Sequence, residues 1–301
     1  MIDLHPSPVE SIEAFGLRLH LKRDDLLHPD FSGNKARKFH YWLRREFPQI
    51  RRVVSYGSNQ SNAMYSLSVL ARMRGWRFEY YVDHIPEWLR EHPAGNYRGA
   101  LENGTVFVVG EKPRRIDDGE TLWIEEGGRQ PEAEEGIRVL AEEIEVWRRE
   151  RRIGKLTVFL PSGTGSTALY LQKCFSLHAP EIAVATTPCV GESAYLKRQF
   201  AMLEADRRFW PRIIDLKRKY HFGNLYREFW QIWLELQRET GVEFDLLYDP
   251  KGWLALREHR TGLEGEILYL HQGGLRGNES MKMRYERKFG VSECGFPHSR
   301  E

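Results

Sequence analysis

Short β-rich runs alternate with segments of helical periodicity along almost the whole chain, and this order restricts the fold more than any other feature. Arg52–Tyr56, Phe78–Val82, Thr105–Val109, Leu156–Leu160, Ile182–Thr186 and Glu266–Leu270 read as buried strands. Ser61–Arg74, Tyr97–Glu102, Pro131–Arg152 and Ser166–Phe175 carry apolar residues at helical spacing, and helices near 192–204, 224–240 and 279–288 follow. A strand that returns parallel to its predecessor needs a crossover, so the alternation predicts an α/β fold with mostly parallel sheets flanked by helices. There are no internal repeats and no low-complexity tract. The stretches near 110–130 and 205–222 read as linkers.

Bulk properties exclude several classes. A chain of 301 residues has ample length for a core, and 41% hydrophobic with 29% charged residues is an ordinary globular balance. A net charge of +2 argues for no nucleic-acid partner. The basic run Trp147–Arg152 ends a helix whose first half is acidic, so its charges suit the helix dipole and read as a solvated helix end. Cys174, Cys189 and Cys294 are odd in number and far apart, which gives neither a disulfide framework nor a metal spacing. A reducing, cytoplasmic setting is expected. Met1–Glu10 has no apolar run, so no secretory signal is read there, and no stretch approaches the roughly 18 apolar residues of a membrane helix.

Five segments carry candidate chemistry. In Ser32-Gly33-Asn34-Lys35-Ala36-Arg37-Lys38 a lysine opens a helix whose buried stripe is Phe39, Trp42, Leu43 and Phe47. An amine held out of bulk water there loses its proton more easily and becomes a nucleophile toward carbonyls. In Pro161-Ser162-Gly163-Thr164-Gly165-Ser166-Thr167 a strand enters a Gly/Ser/Thr loop that opens a helix. Converging backbone N–H groups and the helix N-terminus make a phosphate cradle. The loop lacks the lysine of a nucleotide-binding P-loop and does not fit GxGxxG, so a phosphate monoester on a small cofactor suits it better.

Gly57-Ser58-Asn59-Gln60-Ser61-Asn62 also joins a strand to a helix; taken alone it reads as a capped helix start, though its amides and the Ser61 hydroxyl could hold a carboxylate. Tyr248-Asp249 lies between an apolar run and a Pro250–Gly252 turn, where a phenol and a carboxyl could serve proton transfer. Gly273 and Gly274 follow a late strand and allow a ligand to approach the backbone closely.

Together with Glu126-Gly127-Gly128 and the early Lys22-Arg23-Asp24-Asp25, these segments in this order resemble the fold-type-II pyridoxal 5′-phosphate (PLP) enzymes. Within them the chain is similar to the branch of 1-aminocyclopropane-1-carboxylate (ACC) deaminase and D-cysteine desulfhydrase, over about residues 19 to 275. The resemblance implies two open twisted sheets of tryptophan-synthase-β type. A small α/β domain, 38–127, would be inserted in a larger PLP-binding domain made of 1–37 and 128–301. Relatives are commonly homodimers.

The resemblance also implies roles. Lys35 would carry PLP, Asn62 would bond its ring hydroxyl, Gly163, Thr164, Gly165, Ser166 and Thr167 would bind its phosphate, and Asp249 would sit near its ring nitrogen. Ser61 would face the substrate carboxylate and Tyr248 would stand beside the substrate. No metal is implied. Three positions depart from the family pattern: Ala63 replaces Gln or His, Asp249 replaces Glu or Thr, and Phe222 replaces a second pocket tyrosine. The cofactor residues are therefore better kept than the substrate residues. That favours a PLP-dependent lyase or deaminase performing α,β-elimination on a small amino acid, giving a 2-oxo acid and ammonia, over ACC ring opening or a PLP-binding protein with little activity.

Overall fold

The computed structural model describes residues 4–291, so Cys294 and the first three residues lie outside it. Ten strands run in chain order: β1 (Val9–Ala14), β2 (Leu17–Arg23), β3 (Arg52–Tyr56), β4 (Arg77–Val82), β5 (Val106–Val109), β6 (Thr121–Trp123), β7 (Leu156–Ser162), β8 (Ile182–Pro188), β9 (Arg212–Ile213) and β10 (Glu266–His271). They form a six-stranded sheet ordered β1-β2-β10-β7-β8-β9 and a four-stranded sheet ordered β5-β4-β3-β6. Every pairing is parallel except β1 with β2. The α/β architecture with two mostly parallel sheets is thus the one expected.

Alternation along the strands explains why the large sheet is covered on both faces. Phe159 of β7 and Ile267 and Tyr269 of β10 enter one core with Trp230, Trp233 and Trp253. Their neighbours Val158, Leu160, Leu268 and Leu270 enter a second core with Ile137, Leu140 and Ile144. Such two-sided burial is what gives parallel strands their near-continuous apolar sequence. A third core, built on Val53, Leu67, Leu70, Phe78 and Leu122, belongs to the small sheet.

The helices that matter for the site are α1 (Gly33–Lys38), α2 (His40–Arg44), α3 (Asn62–Arg74), α4 (Glu87–Glu91), α5 (Gly95–Glu102), α6 (Ala133–Glu150), α7 (Ser166–His178), α8 (Ser193–Ala201), α9 (Arg227–Thr240), α10 (Asp249–His259) and α11 (Gly277–Phe289). The single amphipathic helix expected after Lys35 is instead broken at Phe39, whose φ of −95° and ψ of 6° leave the helical region. Two demands meet there. Arg37 and Lys38 must turn inward to polar partners, while Phe39, Trp42 and Leu43 must enter the small-sheet core. Phe47 lies beyond α2 and still packs on Trp42, with ring centroids 5.0 Å apart.

Three further elements differ from the sequence reading. A hairpin, β1–β2, turns through Phe15 and Gly16, both at positive φ, which is the two-residue turn that suits strand twist. The segments read as linkers contain the short strands β6 and β9. The Pro250–Gly252 turn is the start of α10, because a proline in the first turn forfeits only an N–H that has no helical partner.

Candidate active site

The loops that follow β2, β3, β7 and β10 all lie at the carboxyl ends of parallel strands, where open α/β sheets place their ligands. Gly33 opens α1 with φ of +66°, and a Cβ there would collide with the Gln272 carbonyl after β10. Asn34 fastens the same turn: its backbone N–H donates to Gln272 O at 3.1 Å and its Nδ2 donates to Gln272 Oε1 at 3.0 Å. Gln272 Nε2 in turn donates to Pro161 O at 2.6 Å, which ties the turn to the β7 loop.

Lys35 emerges from this braced turn. Its Nζ donates to Gly127 O at 3.5 Å, and Lys38 Nζ donates to the same oxygen at 3.0 Å. Burial, which penalises the ammonium, pulls the Lys35 pKa down to about 8. Lys38, only 2% exposed, is driven well below the ordinary lysine value by burial and by the charge of Lys35.

Arg37, on the opposite side of α1, enters a buried ion cluster. It donates to Asp24 at 2.9 and 3.1 Å and to Glu143 of α6 at 2.5 and 2.8 Å. Lys22 Nζ also donates to Glu143, at 2.6 Å. The Lys22–Asp25 motif is therefore a clamp on the helix that carries Lys35.

The β7 loop reaches the two amines through Gly127. A Cβ on Gly127 would stand 3.0 Å from Thr164 Cγ2, so the acceptor of both amines packs on the loop. Gly163 has the Tyr248 hydroxyl over it, 3.4 Å from where its Cβ would be. The hydroxyls of Ser166 and Thr167, 0% and 3% exposed, have no hydrogen-bond partner. Orphaned buried hydroxyls are rare because each costs free energy, so two in one loop mark a place where an acceptor fits.

Ser61 caps α3, its Oγ accepting from Ala63 N at 3.2 Å and Met64 N at 3.4 Å. Asn62 Nδ2 donates to Asp245 Oδ2 at 3.2 Å, and its Oδ1 accepts from Asn96 Nδ2 at 2.6 Å. Asp249 Oδ1 accepts from the Tyr269 hydroxyl at 2.7 Å and its Oδ2 accepts from Asp245 N at 2.9 Å. Burial, then the neighbouring Asp245, raises the Asp249 pKa well above its ordinary value. Burial likewise pushes the Tyr248 phenol up, and its ring packs on Phe222 with centroids 5.4 Å apart. His271, fully buried, donates through Nε2 to Glu243 O at 2.7 Å and accepts Gly273 N at 3.1 Å, which fixes the glycines beside Gly33.

Lys35, Ser61, Asn62, Gly163–Thr167, Tyr248 and Asp249 thus converge on one region, through Gly127 on one side and Asp245 on the other. The sequence reading passes over Lys38, Asn96 and Asp245. Lys38 stands three residues after Lys35, the spacing that puts two side chains on one helix face, and that signal is present in the sequence. Asn96 joins only through the tertiary fold, whereas Asp245 lies just before Tyr248-Asp249 and is tied to that segment by the Leu247 and Tyr248 amides. Among the described residues no group of three or more His, Cys, Asp or Glu could hold a metal ion, and no helix is long and apolar enough to cross a membrane.

No protein-family model matches the chain, and no curated protein matches it. Solved structures do. An ACC deaminase homologue superposes with a TM-score of 0.76 at 21% identity, covering 96% of this chain and 94% of that one. A threonine deaminase from T.th. gives 0.64 at 15% identity, with 90% and 92% covered. A pyridoxal 5′-phosphate-dependent aspartate racemase gives 0.61 at 11% identity, with 90% and 91% covered. At these identities the likeness is one of fold, and it extends over nearly the whole chain.

Proposed function

We propose that this chain binds PLP at Lys35 and catalyses α,β-elimination from a small amino acid, releasing a 2-oxo acid and ammonia, as a D-cysteine desulfhydrase does. The observation that carries the reading is that a desolvated amine and a glycine-rich loop with two orphaned hydroxyls meet at one residue, Gly127. Two of the solved structures that share the fold are called deaminases or homologues of one, and a third is PLP-dependent, which supports the class.

The residues present fit the group. Ser166 and Thr167 can donate to phosphate oxygens, and Lys38 is a buried amine with no carboxylate partner among the described residues, which a phosphate would hold in its charged form. Charge-assisted bonds of this kind are the strong ones. Bound PLP supplies an electron sink for charge developing on the substrate α-carbon. Asp249, fixed by Tyr269, would stand at the ring nitrogen, and Asn62 at the ring hydroxyl.

Lys35 has two tasks. With a pKa near 8, about a tenth of its amine is free at pH 7, against fewer than one in a thousand for an ordinary lysine. That fraction can condense with an aldehyde. The same amine, when not engaged with the cofactor, would act as the base for the substrate α-proton. The α3 loop offers the Ser61 hydroxyl, whose oxygen accepts two amides and which faces the Tyr80 phenol, as a group that could turn its proton to a carboxylate. Burial keeps the Tyr248 phenol, whose ring packs on Phe222, from ionising, which leaves it poorly suited to nucleophilic attack. That favours elimination over ACC ring opening.

The division into an inserted 38–127 unit and a larger remainder is supported by the sheets, since β3 to β6 all fall inside those bounds. A homodimer rests on the family resemblance, and a cytoplasmic setting on the odd, widely spaced cysteines. The test is direct. The full chain mixed with PLP should turn yellow, borohydride should fix the mass on Lys35, and a panel of D- and L-amino acids should release ammonia and oxo acid. A Lys35→Ala chain with undiminished visible absorbance and turnover would refute the reading.

A further inference from the structure

One buried lysine takes no part in the chemistry above. Lys251 lies in the first turn of α10 and is 8% exposed. Its side chain has no hydrogen bond and no ion pair among the described residues. An ammonium withdrawn from water costs free energy, and buried cations are for that reason almost always paired. The helix adds to the cost, because its first turn carries partial positive charge and a lysine there sits at the unfavourable end.

Lys251 lines a narrow cavity under the turn at 220–224, together with Cys189 after β8, His221, Phe222 and Asn224. Among the described residues no Asp or Glu lines it. His221 and Asn224 are exposed, and neither side chain has a hydrogen bond among the described residues. Burial pushes the Cys189 thiol up to about 12, so it brings no negative charge, and the Lys251 charge acts on it in the opposite sense. Glu192, just before α8, also feels Lys251, but its carboxylate is held first by Lys219, at 2.6 Å. The cavity measures about 10 Å³, room for one water-sized group. Two contacts join it to the site described above. The Phe222 ring packs on the Tyr248 ring with centroids 5.4 Å apart, and Cys189 Sγ donates to the Tyr248 carbonyl at 3.8 Å.

We propose that this cavity is a subsite for a small anionic group, a carboxylate oxygen or a halide in size, which the Lys251 ammonium holds with His221 and Asn224 as further donors at the rim. The α10 N-terminus adds its partial charge to the same end. The anion has two sources. One is a free ion from solution, which needs nothing from the elimination reading. The other is the side-chain acid of an amino-acid substrate standing beside Tyr248. That source deepens the elimination reading, rests on it, and makes the substrate class amino acids with a second acid group.

The PLP-free full chain tests the subsite, with acetate as the probe and ionic strength held constant. Saturation-transfer NMR should show saturable binding, which Lys251→Met weakens by about tenfold or more in Kd and Lys251→Arg largely keeps. Without acetate the Lys251→Met chain should melt at or above the wild-type temperature, because an uncompensated charge is gone and the stem is kept. In the wild type, intermolecular NOEs from the acetate methyl to the Phe222 ring place the probe whether or not a variant folds. Absence of saturable binding or of these NOEs, or unchanged binding in a folded Lys251→Met chain, overturns the proposal. The two sources separate once PLP is bound. The readout is the ratio of KM for an amino acid with a side-chain acid to KM for one without. A tenfold change of that ratio in Lys251→Met assigns the anion to the substrate; an unchanged ratio, with acetate binding still dependent on Lys251, assigns it to a free ion. Failure of borohydride capture by the wild type would remove the cofactor reading and the substrate source with it, and leave the acetate result standing.

Discussion

Ser166 and Thr167 offer a prediction whose sign differs between the free and the loaded chain. Both hydroxyls are buried and neither has a partner. In the free chain each carries an unmet hydrogen-bonding demand, which costs about 1–3 kcal/mol. Thr167→Val keeps the shape and removes that demand, as does Ser166→Ala at some loss of packing. The free double variant should therefore melt roughly 3 to 9 °C above the wild type, less the packing loss at position 166, since a chain of this length gains about 1.6 °C per kcal/mol. With PLP present the order reverses. Each lost hydrogen bond to a charged phosphate forfeits about 1.5–3 kcal/mol, which is roughly ten- to a hundredfold in Kd per hydroxyl. Thermal unfolding with and without PLP, together with a titration of the visible absorbance, reads both effects. A double variant that is destabilised when free and binds PLP with wild-type affinity would refute the argument, because the hydroxyls would then be serving the fold and not the ligand.

Two other outcomes follow from the same geometry. Arg37→Met leaves Asp24 buried without its guanidinium and should cost about 3–5 kcal/mol in urea unfolding. The Arg37 and Lys22 charges hold the Asp24 pKa below its ordinary value against burial, so their contribution is full above about pH 4 and is lost as pH falls through the folded value; the variant should show a flatter acid limb. Capture of PLP by borohydride should rise with pH through about 8 and then level, since the free Lys35 amine is the reacting form; a rate still climbing near the ordinary lysine value of 10.5 would mean the amine is solvated.

Much of the fold was legible because parallel strands buried on both faces keep their apolar residues in short, uninterrupted runs. Val53–Val54 and Leu156–Leu160 declared themselves in this way. The hairpin at Val9–Arg23 did not, because its strands alternate charge with apolar residues and its turn depends on Phe15 at positive φ, a conformation no pattern announces. The unbroken helix expected at Lys35–Phe47 failed for a related reason. Periodicity reported the apolar stripe correctly but not the pull of Asp24, Glu143 and Gly127 on Arg37 and Lys38. In the site, residues grouped by local sequence were readable and residues joined across the fold were not. Asp245 and Asn62 are 183 positions apart and meet over Gly274.

The turn bearing Lys35 is completed by a segment far along the chain. Asn34 and Gln272 are 238 positions apart, and Gly33 rests against Gly273. On the ribosome the amine leaves the exit tunnel long before the strand that shapes its surroundings exists. The nascent chain therefore exposes a solvated lysine, and the desolvated one arises only once the segment around Gln272 has emerged and folded against it.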